Sequence, residues 1–167
     1  MNGELFRESN TIVPVTASVL LGIMCVILFG FAVYEIYVAE DFELSSAGGI
    51  TLLATATIMI VISALVFMLR IKTVVTYESL TVGTFRGRTV PVQNISSVAA
   101  EDFSAMRDYL GWGLRIGKKG IGYISAGTNR GLRINLGDGK SFFISSKRTF
   151  ELESAVNKAI RARAAKQ

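Results

Sequence analysis

Two long stretches near the beginning of the chain contain no charged residue. Residues 9–34 and 44–69 are uncharged runs of 26 residues, each with an apolar centre. A helix of about 20 apolar residues crosses the roughly 30 Å hydrocarbon core of a bilayer. The pattern therefore predicts two membrane-spanning helices, at about 14–37 and 50–69, joined by a loop at 38–49.

A buried helix of a soluble protein and a cleaved signal peptide are the alternatives to a membrane span. A soluble helix usually keeps one polar face, whereas these two runs are apolar all round. The first run is longer than the apolar region of a signal peptide, no small-x-small cleavage site follows it, and a second apolar run does follow. The sequence therefore favours a transmembrane helical hairpin over residues 12–70.

Charge is distributed unevenly around these runs. The loop between them contains three acidic residues and no Lys or Arg: Glu40, Asp41 and Glu43. From Arg70 onward there are 17 Lys and Arg against 7 acidic residues, and basic residues next to a membrane helix favour the cytoplasmic side. We predict a multi-pass inner-membrane protein with a short cytoplasmic N-terminus (1–11), an external acidic loop and a cytoplasmic domain at 71–167.

Beyond Arg70 the chain consists of short segments rich in Val, Thr, Ile and Phe, which are typical of β-strands. Strands are predicted at 72–78, 80–85, 88–92 and 95–100. The segment "YLGWGLRIGKKGIGYIS" then alternates glycines and Arg115 with an apolar row: Leu110, Trp112, Leu114 and Ile116. We expect Trp112, Leu114 and Ile116 of this row to face the core of the domain, with the glycines easing a bend in the sheet.

Two further strands and a helix complete the chain. The segment "NRGLRINL" alternates, and the Asp138-Gly139 pair, a strong hairpin signal, joins it to "SFFISS". Residues 149–165 carry an apolar stripe at helical spacing, formed by Leu152, Val156, Ala159 and Ile160. Many short strands with glycine-rich turns favour an antiparallel β-barrel or sandwich, and the amphipathic C-terminal helix would cover its open end.

The stretches "GWGLR", "GIGYIS" and "NRGLRINLGDGKSFFISS", followed by a final helix, resemble the bacterial pleckstrin-homology-like (PH-like) domains of small membrane proteins. In such proteins a pair of transmembrane helices precedes the domain. The chain departs from the family pattern at "RTFELE", where members often carry a proline-glutamate pair. The resemblance implies a membrane-anchored α+β protein with a seven-stranded PH-like barrel capped by a C-terminal helix. It also implies a binding or scaffolding module.

Few residues of the chain are suited to catalysis or cofactor binding. The sequence has no histidine, and its single cysteine, Cys25, falls in the first apolar run, which argues against the commonest general base and a thiolate nucleophile. We interpret the loose acidic cluster of Glu101, Asp102 and Asp108 as solvated loop charges. The glycines of "GWGLRIGKKGIG" lack the strand-loop-helix context of a phosphate-binding loop. We therefore predict a protein that is not an enzyme and that binds no cofactor or metal.

Basic residues of the predicted domain are the candidates for contact with a partner. They are Arg86, Arg88, Arg115, Lys118, Lys119, Arg130 and Arg133. A domain held at an anionic leaflet gains about 1 kcal/mol per basic residue near the surface, so these residues suit lipid headgroups, through a specific site or through general attraction. A protein segment pairing with an exposed sheet edge is the other partner we expect. No nucleic acid is expected, because no motif of interleaved aromatic and basic residues is present.

The predicted function is a non-enzymatic integral membrane protein that presents a PH-like binding or scaffolding domain to a protein partner or an anionic lipid surface. The alternative is an oligomeric channel or transporter accessory subunit whose transmembrane helices carry the function. Small residues in the apolar runs, namely Ser18, Gly22, Gly30, Ala54 and Ala56, would permit close helix packing within one chain or in a homo-oligomer.

Overall fold

The computed structural model describes residues 3–37, 47–85 and 87–165. The chain forms two compact units. The helical unit contains residues 13–68, and the β-domain contains residues 1–12 together with 69–167. The helical unit is thus an insertion near the start of the β-domain. Arg86 and most of the predicted acidic loop lie outside the described residues.

The helical unit consists of two helices, α1 (Val15–Tyr37) and α2 (Ala47–Met68). Helices were predicted at about 14–37 and 50–69, and the structure has a helix at each of these places. The helices touch where the Cys25 sulfur lies 3.4 Å from the Ser63 hydroxyl. A small side chain at such a point lets two helix backbones approach closely, as in other apolar helix pairs.

The glycines of α1 are not used for this packing. Gly22 and Gly30 both face open space. Alanines are buried in their place, since Ala32 and Ala56 are almost fully covered. Ala56 is buried, whereas a Cβ at Gly22 or Gly30 would meet nothing within 4 Å, so the predicted packing role of these two glycines within one chain is wrong.

One described helix is long and apolar enough, by length and composition, to cross a membrane. It spans Val15–Tyr34 with a mean hydropathy of 2.5, and only 11% of it is buried. A shorter apolar helix, Leu53–Met68, lies within α2. Such low burial separates the first helix from the core helix of a soluble domain, which is mostly covered by other elements.

The β-domain begins with a strand that the sequence analysis did not predict. Residues 1–11 were assigned to a short terminus, but β1 (Glu4–Thr11) pairs antiparallel with β2 (Arg70–Thr76) across the helical insertion. The inward-facing residues of β1 are Phe6, Glu8 and Asn10. Two of these three are polar, so the strand lacks the apolar alternation by which a half-buried strand is recognised.

The first sheet has the strand order β1-β2-β3-β4, in which β3 is Ser79–Gly83 and β4 is Arg88–Pro91. Each strand pairs antiparallel with the next. Val75, Leu80 and Val82 are fully buried on its inner face. A single turn of 3-10 helix (Val92–Asn94) then leads into the second sheet.

The second sheet contains five strands in the order β5-β8-β9-β7-β6. Their bounds are β5 Ile95–Asp102, β6 Gly113–Gly117, β7 Gly120–Ile124, β8 Arg130–Leu136 and β9 Ser141–Ser145. A short helix, α3 (Ala105–Tyr109), precedes β6. The prediction of a purely antiparallel domain is wrong at one place, because β7 runs parallel to β9. The β6–β7 hairpin is inserted between β5 and β8, and its second strand pairs with the edge of β9.

The C-terminal helix α4 (Thr149–Ala164) confirms the predicted amphipathic helix at 149–165. Leu152, Val156 and Ala159 of its apolar stripe are fully buried. Leu152 and Val156 pack in one core with inner-face residues of both sheets, among them Leu80 and Phe142. The domain is therefore α+β, with two open sheets and a closing helix rather than a closed barrel.

Candidate functional site

The β6–β7 hairpin exposes the apolar row that was expected to face the core. Leu110, Leu114 and Ile116 are 73%, 63% and 80% exposed, and only Trp112 is partly buried. The expectation that Trp112, Leu114 and Ile116 belong to the interior is therefore wrong for Leu114 and Ile116. Exposed apolar residues that are neighbours on one strand mark a surface for protein or membrane contact.

The register of the hairpin explains how this exposure arises. Leu114 lies opposite Tyr123 of β7, and Ile116 lies opposite Ile121. Directly opposed residues in an antiparallel pair share one face of the sheet, and Tyr123 on that face is buried in the core. The prediction that Leu114 and Ile116 lie on the core-facing side of the strand is thus correct. Because β6 is the edge strand of the sheet, its part of the apolar face is left uncovered.

The glycines of the hairpin lie on the covered face. A Cβ at Gly117 would meet the Asp108 carbonyl oxygen and would lie 2.7 Å from the Tyr109 Cα. A Cβ at Gly122 would lie 2.6 Å from the Tyr109 ring, and that ring stacks on Phe143 with centroids 5.6 Å apart. The glycines therefore make room for α3, which packs on this side of the hairpin, whereas Leu114 and Ile116 on the opposite side of β6 are exposed.

Helix α3 is held in place by polar contacts at both ends. Ser104 caps it by accepting the Arg107 N–H, and the Ser104 N–H donates to the Asp108 carboxylate at 2.9 Å. At the other end Leu110 adopts a left-handed conformation with φ of 59°. The Lys118 N–H donates to the Asp108 carbonyl at 3.0 Å, so the helix is also tied to the hairpin turn.

The buried Asp108 carboxylate is stabilised in its charged form. The hydrogen bond from the Ser104 N–H lowers the pKa of Asp108, burial opposes this effect, and the ammonium of Lys119 at 3.4 Å lowers the pKa further. Lys119 also donates to the Asp102 carbonyl at 3.5 Å. Lys119 was predicted as a contact residue, but its ammonium group already forms an ion pair with Asp108 within the domain.

Arg115 and Lys118 are the basic residues of the hairpin whose charges remain available. Both are exposed. The Arg115 Nε donates to the Trp112 carbonyl at 2.8 Å, which orients the guanidinium without neutralising it. Within the described residues neither side chain forms an ion pair. We call Leu114, Ile116, Arg115 and Lys118 the hairpin surface.

Arg133 was predicted as a contact residue, and the structure gives it an internal role. Its guanidinium donates to Glu101 at 2.8 Å, to the Lys119 carbonyl at 3.0 Å and to the Tyr109 hydroxyl at 3.4 Å. The side chain is only 15% exposed. The bond to Glu101 raises the pKa of Arg133. A guanidinium satisfied in this way joins β5, β8 and α3 and has little capacity left for a ligand.

The remaining predicted residues do not join the hairpin surface. Arg130 pairs with Asp102 at 3.6 Å and is largely exposed. Arg88 lies on β4 in the first sheet, with its guanidinium 4.8 Å from the centre of the Phe142 ring. Arg86 lies outside the described residues. The seven basic residues therefore do not form a single patch among those that the structure places.

The three acidic residues of the predicted cluster are each paired with a cation. Glu101 contacts Arg133, Asp102 contacts Arg130, and Asp108 contacts Lys119. Within residues 3–37, 47–85 and 87–165 no group of three His, Cys, Asp or Glu side chains could hold a metal ion. The interpretation of the three acids as loop charges needs refinement, because Asp108 is buried and caps the start of α3.

Comparison with known proteins adds no assignment to this geometry. No protein-family model matches the chain, and no curated protein matches it either.

Proposed function

We propose that the chain is an integral membrane protein whose two helices hold a non-enzymatic, PH-like binding domain at the cytoplasmic face of the inner membrane. The hairpin surface is the part of the domain that engages a partner. The observation that carries the proposal is the pairing of β1 with β2 on either side of the helical insertion.

This pairing supports an even number of membrane crossings. Thr11 lies opposite Arg70, and the Ile12 N–H donates to the Leu69 carbonyl at 3.3 Å. The chain therefore leaves the β-domain and returns to it at the same place. Helix α2 contains 22 residues, which at about 1.5 Å per residue give roughly 33 Å, enough to cross a bilayer core.

The distribution of charge supports the orientation. Basic residues outnumber acidic ones by ten from Arg70 onward, since 17 − 7 = 10, whereas the loop between the helices carries three acids and no Lys or Arg. Such an asymmetry, with Arg70 and Lys72 directly after α2, favours a cytoplasmic basic domain and an external acidic loop.

The order of the strands supports the PH-like assignment. Strands β1 to β4 form one meander, β5, β8 and β9 form a second, and α4 closes the core of both. These are seven strands followed by a helix, which is the layout that the resemblance implies. The β6–β7 hairpin is then an addition to this layout. An added hairpin with exposed apolar residues favours a role in binding.

An oligomeric channel or transporter accessory subunit is the second candidate. It is favoured by Gly22 and Gly30 of α1, which face open space and would let a helix of another copy approach closely. Cysteines at these two positions in a Cys25→Ala background test it in native membranes. A cross-linked ring of defined size supports this candidate, and monomers alone reject it.

Labelling of single cysteines with a membrane-impermeant maleimide tests the leading proposal. In the Cys25→Ala background, we expect Ser45→Cys to be labelled in intact spheroplasts. We expect Lys140→Cys, in the β8–β9 turn, to be labelled only after lysis. Labelling of both sites from outside would overturn the topology. A mature chain that lacks residues of the first apolar run, detected by mass spectrometry, would instead identify a cleaved signal peptide.

A further inference from the structure

We propose that the hairpin surface binds an anionic lipid bilayer, with Leu114 and Ile116 entering the interfacial region and Arg115 and Lys118 contacting lipid phosphates. This inference rests on the proposed function, because it assumes that the helices anchor the chain in a membrane. It adds a partner and the four residues that meet it.

The apolar part of the proposed contact is exposed because β6 is the edge strand of the sheet. Leu114 and Ile116 continue the buried face that Tyr123 and Ile121 form in β7, but no element covers them within the described residues. Most of each side chain is in contact with water in this state. Transfer of such side chains into an apolar environment is favourable, and the interfacial region of a bilayer offers one.

The charged part of the proposed contact consists of the basic side chains of the hairpin that form no ion pair within the described residues. Arg115 lies opposite Gly122, on the face of β6 away from the apolar pair, and Lys118 follows β6 in the hairpin turn. Both cations remain available, whereas Lys119 and Arg133 are already engaged by Asp108 and Glu101. A planar guanidinium and an ammonium both bind phosphate oxygens. At this sheet edge the apolar pair on one face of β6, with the cations on the other face and in the turn, matches the headgroup and acyl boundary of an anionic membrane.

A lipid surface fits this hairpin better than an added peptide strand does. Strand β6 has only five residues, so its free edge offers few backbone groups for pairing. An apolar pair flanked by two unpaired cations requires no particular sequence in its partner. The short strand and the local positive charge therefore favour a bilayer as the partner. Binding of a protein segment instead is an outcome that the experiment below can detect.

Trp112 provides a natural reporter at this surface. It is the only tryptophan of the chain, and it lies partly buried one residue before β6. Its fluorescence therefore comes from the hairpin alone, even in the full-length protein. Brominated acyl chains quench tryptophan only at short range, so quenching measures the approach of the hairpin to the bilayer.

The experiment uses the full chain in nanodiscs that contain brominated lipid, made either of phosphatidylcholine alone or of phosphatidylcholine mixed with phosphatidylglycerol. We expect marked quenching of Trp112 in the anionic discs, weaker quenching in the neutral discs, and a decrease with added salt. The double variants Leu114→Ser/Ile116→Ser and Arg115→Gln/Lys118→Gln should each lose more than half of the quenching. The matched control Phe150→Ser/Lys140→Gln changes an equally exposed aromatic residue and an exposed cation elsewhere, and should retain it.

The outcomes separate the two proposals. Failure of the chain to enter nanodiscs would overturn the membrane anchor as well as the lipid contact. Stable incorporation without quenching of Trp112 would reject the lipid contact and leave the anchor intact. Equal quenching in neutral and anionic discs would reject the role of the cations. A photo-crosslinker at Leu114 that captures a protein instead of lipid in native membranes would also overturn the inference.

Discussion

The Ser146 hydroxyl donates a hydrogen bond of 2.5 Å to the Glu8 carboxylate, although 138 residues separate the two in the chain. The second Glu8 oxygen accepts the Lys147 N–H at 3.0 Å. Ser146 in turn accepts the Arg148 N–H, so the network extends to the residue before α4. The first strand of the chain therefore fixes the beginning of its last helix.

Glu8→Ala should destabilise the β-domain by about 1–3 kcal/mol, because it leaves the buried Ser146 hydroxyl and the Lys147 N–H without their partner. Glu4→Ala is the matched control on the same strand. Among the described residues Glu4 pairs with the exposed Arg7 alone, so its loss should cost at most about 1 kcal/mol. Urea unfolding of the full chain in mild detergent measures both. Equal effects would show that the Glu8 network is not needed.

Replacement of residues 13–68 by Asn-Gly should yield a soluble and cooperatively folded domain. Ile12 and Leu69 face each other at the end of the β1–β2 pair, and a two-residue Asn-Gly turn joins antiparallel strands at this spacing. A chain that begins at Leu69 should fail to fold, because it loses the buried Phe6 together with Glu8. Dispersion of amide proton signals in NMR spectra distinguishes the two chains. A folded chain lacking β1 would contradict the prediction.

The sequence predicts most elements of this protein because each has a local signal. The two apolar runs, the alternation of "NRGLRINL" and the stripe of α4 all depend on neighbouring residues. Strand β1 has no such signal. Its inward positions 8 and 10 are polar, and Glu8 is satisfied only by residues at the far end of the chain.

The candidate site was harder to predict because exposure depends on the neighbouring strands. The alternation in β6 correctly identified Leu114 and Ile116 as sharing one face, but no local pattern shows that this strand lies at the edge of a sheet. The sequence likewise does not show which basic residues form internal ion pairs. Arg133 and Arg115 look alike in the sequence, yet one is bound to Glu101 and the other is exposed.

Gly117→Ala should destabilise the packing of α3 on the hairpin by about 1–3 kcal/mol, as overpacking of a closely packed site does. The new methyl group would overlap the Asp108 carbonyl and lie 2.7 Å from the Tyr109 Cα. Gly137→Ala is the control, because a Cβ there meets nothing closer than 4.0 Å. Thermal unfolding followed by circular dichroism compares the two variants, and an unchanged Tm for Gly117→Ala would contradict the packing described here.

Arg133→Met should cost about 1–3 kcal/mol, since it removes three hydrogen bonds and leaves Glu101 without its partner. Arg130→Met removes only the exposed pair with Asp102 and should cost at most about 1 kcal/mol. Urea unfolding under the same conditions checks the difference. If Arg133 were a free contact residue, both variants would unfold like the unmodified chain.

The β-domain should lose stability in acid because the stabilising charge of Asp108 is lost when its carboxylate is protonated. Its pKa in the folded protein lies below the ordinary value of 3.8, chiefly because of the Ser104 N–H. The stabilisation is therefore fully present above the unfolded-state pKa and is lost as the pH falls through the lower folded-state pKa. Asp108→Asn should lower the Tm at neutral pH and reduce the further decrease of Tm on acidification. Glu78→Gln changes an exposed carboxylate and should keep the full decrease. An acid response of Asp108→Asn identical to that of the unmodified chain would remove Asp108 as its source.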